Sequence, residues 1–298
     1  MNRPSPAEHD TPWVEIRQAI LELEAAGVDS PRLTAEVILA RVLNWERPRL
    51  IARLHDRGIL SEAGRHEFRM LIRRRAAGEP LQYLTGEQEF YGLAFLVTPA
   101  VLIPRPETEI LVEKAVALAR GCPGGIRFAD VGTGSGCIAV ALARTLPDSR
   151  GWGADISMAA LAVARENARR HGVAARVGFV NADLLEAFPA RPGFDIILSN
   201  PPYVSALDAP ALPGHVRDHE PHTALFAGNS GTEIYRRLVP QAVARLAPAG
   251  YLLLEIGCGQ ADAVTGIVLR EGLSQVEVFA DLQGIPRCLA ACRMKAAP

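Results

Sequence analysis

The stretch Ile126-Arg127-Phe128-Ala129-Asp130-Val131-Gly132-Thr133-Gly134-Ser135-Gly136 runs from an apolar segment straight into three closely spaced glycines. Its first half reads as a buried strand, and its second as a sharp turn that opens a helix over residues 135–146. The same alternation continues downstream, with a strand at 150–155, a helix at 158–171 and strands at 175–180 and 194–199. A helix at 232–246, the strand Tyr251–Ile256 and a helix at 260–271 follow, while Glu107–Arg120 reads as a helix leading into the first strand. Strands alternating with helices predict an α/β domain with a parallel, doubly wound sheet. The closing strands, Val276–Ala280 and Arg287–Cys292, are separated only by Asp281–Pro286. That connection is too short for a helical crossover, so an antiparallel hairpin at one edge is expected.

Upstream, residues 11 to about 78 carry helix signals and no strand signals. Thr11-Pro12, Ser30-Pro31 and Ser61 are helix starts, and Val14, Ala19, Ile20, Leu21 and Leu23 form an apolar stripe. Between the two textures, Gln82-Tyr83-Leu84, Glu89-Phe90-Tyr91 and Leu93–Val97 alternate around Gly86 and Gly92, which predicts an extended or hairpin linker. The expected organisation is a helical bundle at 1–80, a β-hairpin linker at 81–104 and a catalytic domain at 105–298.

Bulk properties exclude several classes. The chain has 298 residues, 49% of them apolar and 22% charged, with a formal net charge of -1, so no global drive toward nucleic acid or anionic membrane exists. The local basic run Arg69, Arg73, Arg74 and Arg75 reads as a solvated helix face. Five cysteines without a Cys-x-x-Cys pair read as reduced thiols, which predicts a cytoplasmic protein. The polar opening, residues 1–12, predicts no signal peptide, and no apolar run reaches the length of a membrane span.

The glycine turn lets the backbone approach a ligand closely while N–H groups at the helix start face it. A dinucleotide fingerprint wants Gly-x-Gly-x-x-Gly or Ala; here the third glycine comes one residue early and Cys137 occupies the last place. No Gly-Lys-Ser/Thr follows, so a P-loop is excluded. The spacing of Gly132, Thr133, Gly134, Ser135 and Gly136 suits S-adenosylmethionine. Asp155, at the carboxyl end of the next strand, is placed to accept hydrogen bonds from ribose hydroxyls. Asp183 is a candidate acceptor for an adenine amino group, with Leu184 packing on the ring. Asn200-Pro201-Pro202-Tyr203 follows directly after an apolar strand. Two prolines fix the backbone and remove N–H donors. The Asn200 amide oxygen and the Pro201 carbonyl can then hold both hydrogens of a planar –NH2 group, with Tyr203 offering an aromatic face. In Ile103-Pro104-Arg105-Pro106-Glu107-Thr108-Glu109, Arg105 or Thr108 is a candidate for a cofactor carboxylate. His215, His219 and His222 are interrupted by proline and are not expected to bind a metal.

Together these motifs resemble the peptide chain release factor glutamine N5-methyltransferase family (HemK or PrmC). The resemblance covers nearly the whole chain. It includes Ser30–Leu43, Gly78–Gly86, Glu89–Leu93, Ile103–Glu109, Asn200–Tyr203 and Glu220-Pro221-His222-Thr223-Ala224-Leu225. It implies a class I seven-stranded Rossmann-like methyltransferase domain, S-adenosylmethionine as cofactor, and a helical domain that grips a release factor. It also implies methyl transfer to the glutamine of that factor's Gly-Gly-Gln loop. By the same resemblance, Gly132 to Gly136, Asp155, Asp183 and Asn200 are cofactor contacts and Asn200 to Tyr203 are glutamine contacts, with a monomer as the default state. Leu184 departs from the aromatic residue that family members often carry there. A ribosomal-protein glutamine methyltransferase shares Asn-Pro-Pro-Tyr but lacks the Pro-Glu-Thr-Glu continuation after Arg105. A DNA amino-methyltransferase should carry a basic target-recognition region; the near-neutral charge and the small helical N-terminal domain of this chain argue against that reading.

Overall fold

The computed structural model of the protein describes residues 11–294 apart from 121 and 123. Residues 1–10 of the polar opening, on which the signal-peptide expectation rests, lie outside the described residues. The fold separates into two compact units, one formed by residues up to Gly86 with Pro213–His219, the other by Glu87–Leu212 and the residues from Glu220 onward.

The first unit consists mainly of α1 (Pro12–Ala25), α2 (Pro31–Leu43), α3 (Arg47–Ala52), α4 (Glu62–Ala76) and α5 (Leu81–Thr85). Proline sits in the first turn of α1, α2 and α3, where its missing N–H has no intrahelical partner to lose. Ser61 caps α4 by accepting a hydrogen bond from the Gly64 N–H at 3.1 Å. Ile16, Leu23, Ile38, Leu39, Leu50, Phe68 and Ile72 form the core. Two carboxylates are buried in this unit, each held by two guanidinium groups: Glu15 by Arg65 and Arg69, and Glu36 by Arg32 and Arg47. Arg74 chelates the Glu79 carboxylate, and Arg75 donates to the Glu79 carbonyl. Arg69, Arg73 and Arg74 of the basic run are exposed, as expected of a solvated face, while Arg69, Arg74 and Arg75 also bond to glutamates of their own unit.

The sequence between 81 and 104 departs from expectation at its start. Leu81–Thr85, predicted as extended, forms α5: Pro80 sets the entry and Gly86, at φ +79°, ends it in the left-handed conformation. The hairpin begins only afterwards, as β1 (Glu87–Phe90) and β2 (Leu93–Leu96) joined by Tyr91 and Gly92, both at positive φ. It is anchored rather than free. Phe90 and Phe95 are buried in the core of the second unit, and Asn167 receives the Leu96 N–H at 2.8 Å and donates to the Leu96 carbonyl at 3.0 Å.

The second unit continues through α6 (Glu109–Ala119), β3 (Arg127–Val131), α7 (Cys137–Thr145), β4 (Arg150–Asp155), α8 (Met158–Arg170), β5 (Val177–Asn181) and β6 (Phe194–Ser199). It closes with α9 (Glu233–Arg245), β7 (Leu246–Glu255), α10 (Ala261–Arg270), β8 (Leu273–Ala280) and β9 (Pro286–Arg293). The seven-stranded sheet has the order β8-β9-β7-β6-β3-β4-β5. The strands pair in parallel except for β9, which is antiparallel to both neighbours. The expected antiparallel hairpin forms at one edge of the sheet, with β9 between β7 and β8 and β8 outermost. The apolar run through Leu289, Ala290 and Ala291 suits that interior place.

Strand alternation divides the core into two layers. Phe128 and Leu253 face the layer of α6 and α7, whereas Ala129, Val131, Leu252 and Leu254 face the layer of α9 and α10. In β4, Gly151 and Gly153 share one face and make room for large neighbours. A Cβ on Gly151 would lie 2.1 Å from the ring of its register partner Phe128, which is fully buried. Replacing Gly151 with alanine therefore has no low-strain solution. Gly151→Ala is expected to lower unfolding free energy by about 3 kcal/mol, to be read as a shifted urea midpoint at unchanged slope.

Candidate active site

The chain builds β3, β4 and β5 outward in one direction and then returns to lay β6 on the other side of β3. At this reversal the loops after β3 and β6 part, leaving a crevice at the carboxyl ends of the strands, where ligands of open α/β sheets bind. A cavity of about 340 Å³ occupies the place. Its lining includes Gly132, Thr133, Gly134, Ser135, Asp155, Asp183, Leu184, Asn200 and Pro202. Arg105 and Thr108, from the stretch before α6, line it as well. Three residues singled out in the sequence stand outside this lining: Gly136, Pro201 and Tyr203. Gly136 serves packing instead, because a Cβ there would lie 3.1 Å from that of Ala164 in α8.

The glycine loop is held from several sides. Gly132, Gly134 and Gly136 all have positive φ, which residues with a Cβ adopt only under strain. The N–H groups of Gly132 and Thr133 both donate to the Ala154 carbonyl, at 2.8 and 3.0 Å. Asp155 accepts from the Gly134 N–H through Oδ2 and from the Ser157 N–H through Oδ1, each at 2.9 Å. A carboxylate has about four lone-pair directions, so acceptor capacity on Asp155 is left over for a ligand. Burial pushes the Asp155 carboxyl above its ordinary value despite these hydrogen bonds. Asp130 is fully buried and pushed up to about 7 by that burial; Oδ2 accepts from Thr133 Oγ1 at 2.6 Å, while Oδ1 has no hydrogen-bond partner.

Asp183 lines the cavity with one oxygen already engaged, accepting from Arg237 Nη2 of α9 at 2.6 Å. Leu184 adopts φ +54°. A left-handed leucine is strained by about 1 kcal/mol or more, and such strain gathers at ligand sites. Ile156 and Ile234 add apolar wall nearby.

A polar chain runs behind the Asn200 loop. Asn200 Nδ2 donates to Thr108 Oγ1 at 3.1 Å, and Thr108 Oγ1 donates to Glu255 Oε2 at 2.6 Å. The Tyr203 hydroxyl lies 3.4 Å from Glu255 Oε1. Burial pushes the Glu255 carboxyl up to about 7, against the hydrogen bond from Thr108 and the charge of Arg287. Gln260 clamps the same loop, donating to the carbonyls of Tyr203 and Gly231 and accepting from the Gly257 N–H. Arg105 Nη2 pairs with the buried Glu220 at 2.5 Å. Thr108 is thus engaged on both sides, and of the two candidates for a cofactor carboxylate only Arg105 keeps unassigned donors at the cavity. Glu255, Gln260, Arg237 and Asn167 were not singled out by sequence reasoning. Only Glu255 carries a signal there, as an acid ending an apolar strand of a doubly wound sheet. Among the described residues, no group of three or more His, Cys, Asp or Glu could hold a metal ion, and no helix is long and apolar enough to cross a membrane.

The sequence has close relatives. Over 277 residues the chain is 47% identical to the release factor glutamine methyltransferase of Moorella thermoacetica, covering 93% of this chain and 96% of that protein. The chain belongs to the release factor glutamine methyltransferase family. The protein of that name from Nitratidesulfovibrio vulgaris is 44% identical over 292 residues, covering 97% of this chain and 98% of its own length. Residues 16–86 match the PrmC N-terminal domain and residues 108–212 match the methyltransferase small domain. The crystal structure of a methyltransferase from Pyrococcus furiosus shares the fold at a TM-score of 0.52 and 18% identity, covering 69% of this chain and 91% of that one.

Proposed function

We infer that this family member methylates the side-chain amide nitrogen (N5) of the glutamine in the Gly-Gly-Gln loop of peptide chain release factors, with S-adenosylmethionine as donor. The observation that carries the reading is the meeting of the glycine loop and the Asn200 loop across one cavity at the reversal of the sheet. The residues present fit the cofactor. A carboxylate with spare acceptor capacity, Asp155, lies between the glycine turn and the apolar walls of Ile156, Leu184 and Ile234, in a cavity within the size range of small-molecule sites. Asp155 would hold the ribose hydroxyls and Gly132 to Gly136 the backbone edge, with Asp183 and Leu184 on the adenine. Bound there, the cofactor supplies a methyl group on a positively charged sulfur.

A glutamine amide is a poor nucleophile because its lone pair is delocalised, so alignment and exclusion of water must supply most of the acceleration. On this reading Asn200 Oδ1 and the Pro201 carbonyl accept the two amide hydrogens and aim the nitrogen into the cavity. Pro202 stiffens the turn, and Tyr203 borders the substrate while its hydroxyl faces Glu255. The helical unit, matching the family's N-terminal domain, grips the release factor. The engagement of Arg69, Arg74 and Arg75 by glutamates of their own unit supports a protein substrate over DNA. The enzyme would then work as a cytoplasmic monomer.

Labelled methyl transfer to a release factor, to its Gly-Gly-Ala variant and to duplex DNA tests the reading. Label is expected on the intact factor alone; label on DNA, or equal label on both factors, would overturn the substrate. Asn200→Ala should lower kcat by roughly 10²-fold with cofactor affinity, measured by calorimetry, far less affected. Asp155→Ala should do the converse and weaken S-adenosylhomocysteine binding by roughly tenfold or more, the loss of charged hydrogen bonds. Unchanged affinity would remove Asp155 from the ribose.

A further inference from the structure

We propose that Glu255 is a positioning residue that selects the amide orientation of Asn200 through the hydroxyl of Thr108. The inference rests on the reading of Asn200 as an acceptor for the substrate amide, and it asks what keeps the oxygen of that side chain, rather than its NH2, toward the substrate. An asparagine amide is nearly symmetric in shape, so packing alone does not choose between its two orientations.

The choice follows from proton counting. Thr108 has one hydroxyl hydrogen, and it lies on the 2.6 Å contact to Glu255 Oε2, a length typical of a hydroxyl donating to a carboxylate. The Thr108 oxygen can then only accept from Asn200, at 3.1 Å. Asn200 must present Nδ2 to it, which turns Oδ1 the other way. With the amide reversed, two oxygens would face each other with no hydrogen between them. A carboxylate that touches no substrate thus fixes the polarity of the group that does.

The arrangement depends on Glu255 being ionised. Once protonated, Glu255 can donate to Thr108, whose hydrogen is then free to point at Asn200, and either amide orientation becomes acceptable. Around Glu255 stand Tyr203 from the Asn200 loop, Tyr235 from α9, Arg287 and Cys288 from β9, Glu107 from the turn before α6, and Cys137 from α7. Arg287 favours the ionised form and Glu107 opposes it. Burial pushes the thiols of Cys137 and Cys288 up to about 12 and raises both tyrosine hydroxyls as well, so these four keep their protons near neutrality. Glu255, itself pushed up to about 7, is the member that titrates there. The sign is that of a group required in its ionised form: turnover should fall as pH drops through that value.

Asp130 is also pushed up to about 7 beside the glycine loop, so a pH profile of the parent alone does not separate the two. Thr108→Val does, because it removes the relay at constant shape. We expect kcat for release-factor methylation to fall roughly 10- to 100-fold, with S-adenosylhomocysteine affinity by calorimetry close to the parent and the melting temperature lowered only by the loss of the two buried hydrogen bonds. Thr108→Ser should restore most of the loss. The limb near neutrality in the parent's kcat profile should flatten in Thr108→Val, since Glu255 no longer reaches Asn200, and should flatten likewise in Glu255→Gln. Parent-like kcat in Thr108→Val, a limb that persists in it, or a parallel loss of cofactor binding would each overturn the proposal. Failure of the parent to methylate a release factor would instead overturn the substrate assignment on which it rests.

Discussion

The reversal in strand order at β3 is the constraint on which the rest of the second unit depends. Parallel pairing of β3 with both β4 and β6 sends the connections leaving the adjacent strands β3 and β6 away from each other at the same end of the sheet. A crevice must open there, and its floor must be made of strand ends and loop backbone. Glycine on the β3 side and paired prolines on the β6 side are two answers to the same problem: the chain has to turn within a few residues without offering side chains or N–H groups that would fill the space. The narrowness of β4, where Gly151 and Gly153 lie under Phe128 and Phe179, lets adjacent strands carry large rings while the sheet stays closely packed beneath the site.

What could be read from the sequence was what the chain encodes locally. The glycine turn, Asp155 and Asn200–Tyr203 each announce themselves within a few residues, and a doubly wound sheet fixes at which end such motifs must lie. The seven strands were legible for the same reason, as short apolar runs bounded by turns. The failures share a cause too. Leu81–Thr85 alternates like a strand, but five residues between a proline and a glycine are enough for a helical turn, and the pattern does not decide between them. Glu255 reaches Thr108 across 147 positions of chain, and Arg237 reaches Asp183 across 54. Such partners are products of the fold and leave only a faint mark on their own neighbourhoods. That the closing hairpin would place β9 inside and β8 outside was visible in principle, since β9 is continuously apolar where β8 alternates.

A few acids in this chain are turned inward. The near-zero net charge conceals many arginines, and a large share of them neutralise specific carboxylates. Glu15, Glu36 and Glu220 are buried acids, the first two each held by two guanidinium groups and Glu220 by that of Arg105. Burying an acid this way is costly unless both partners stay in register.

The outer strand β8 has the last consequence. An edge strand offers a row of free backbone donors and acceptors to any other chain that meets it. Here the β8–β9 ladder slips register between Ser274 and Glu277, and Gln275 takes φ +49°, so the free edge is bent rather than straight. Alternating exposed residues along it, including Glu277, add charge to the bend. A neighbouring molecule that meets this edge finds no flat strand to extend, so the irregular ladder works against edge-to-edge pairing.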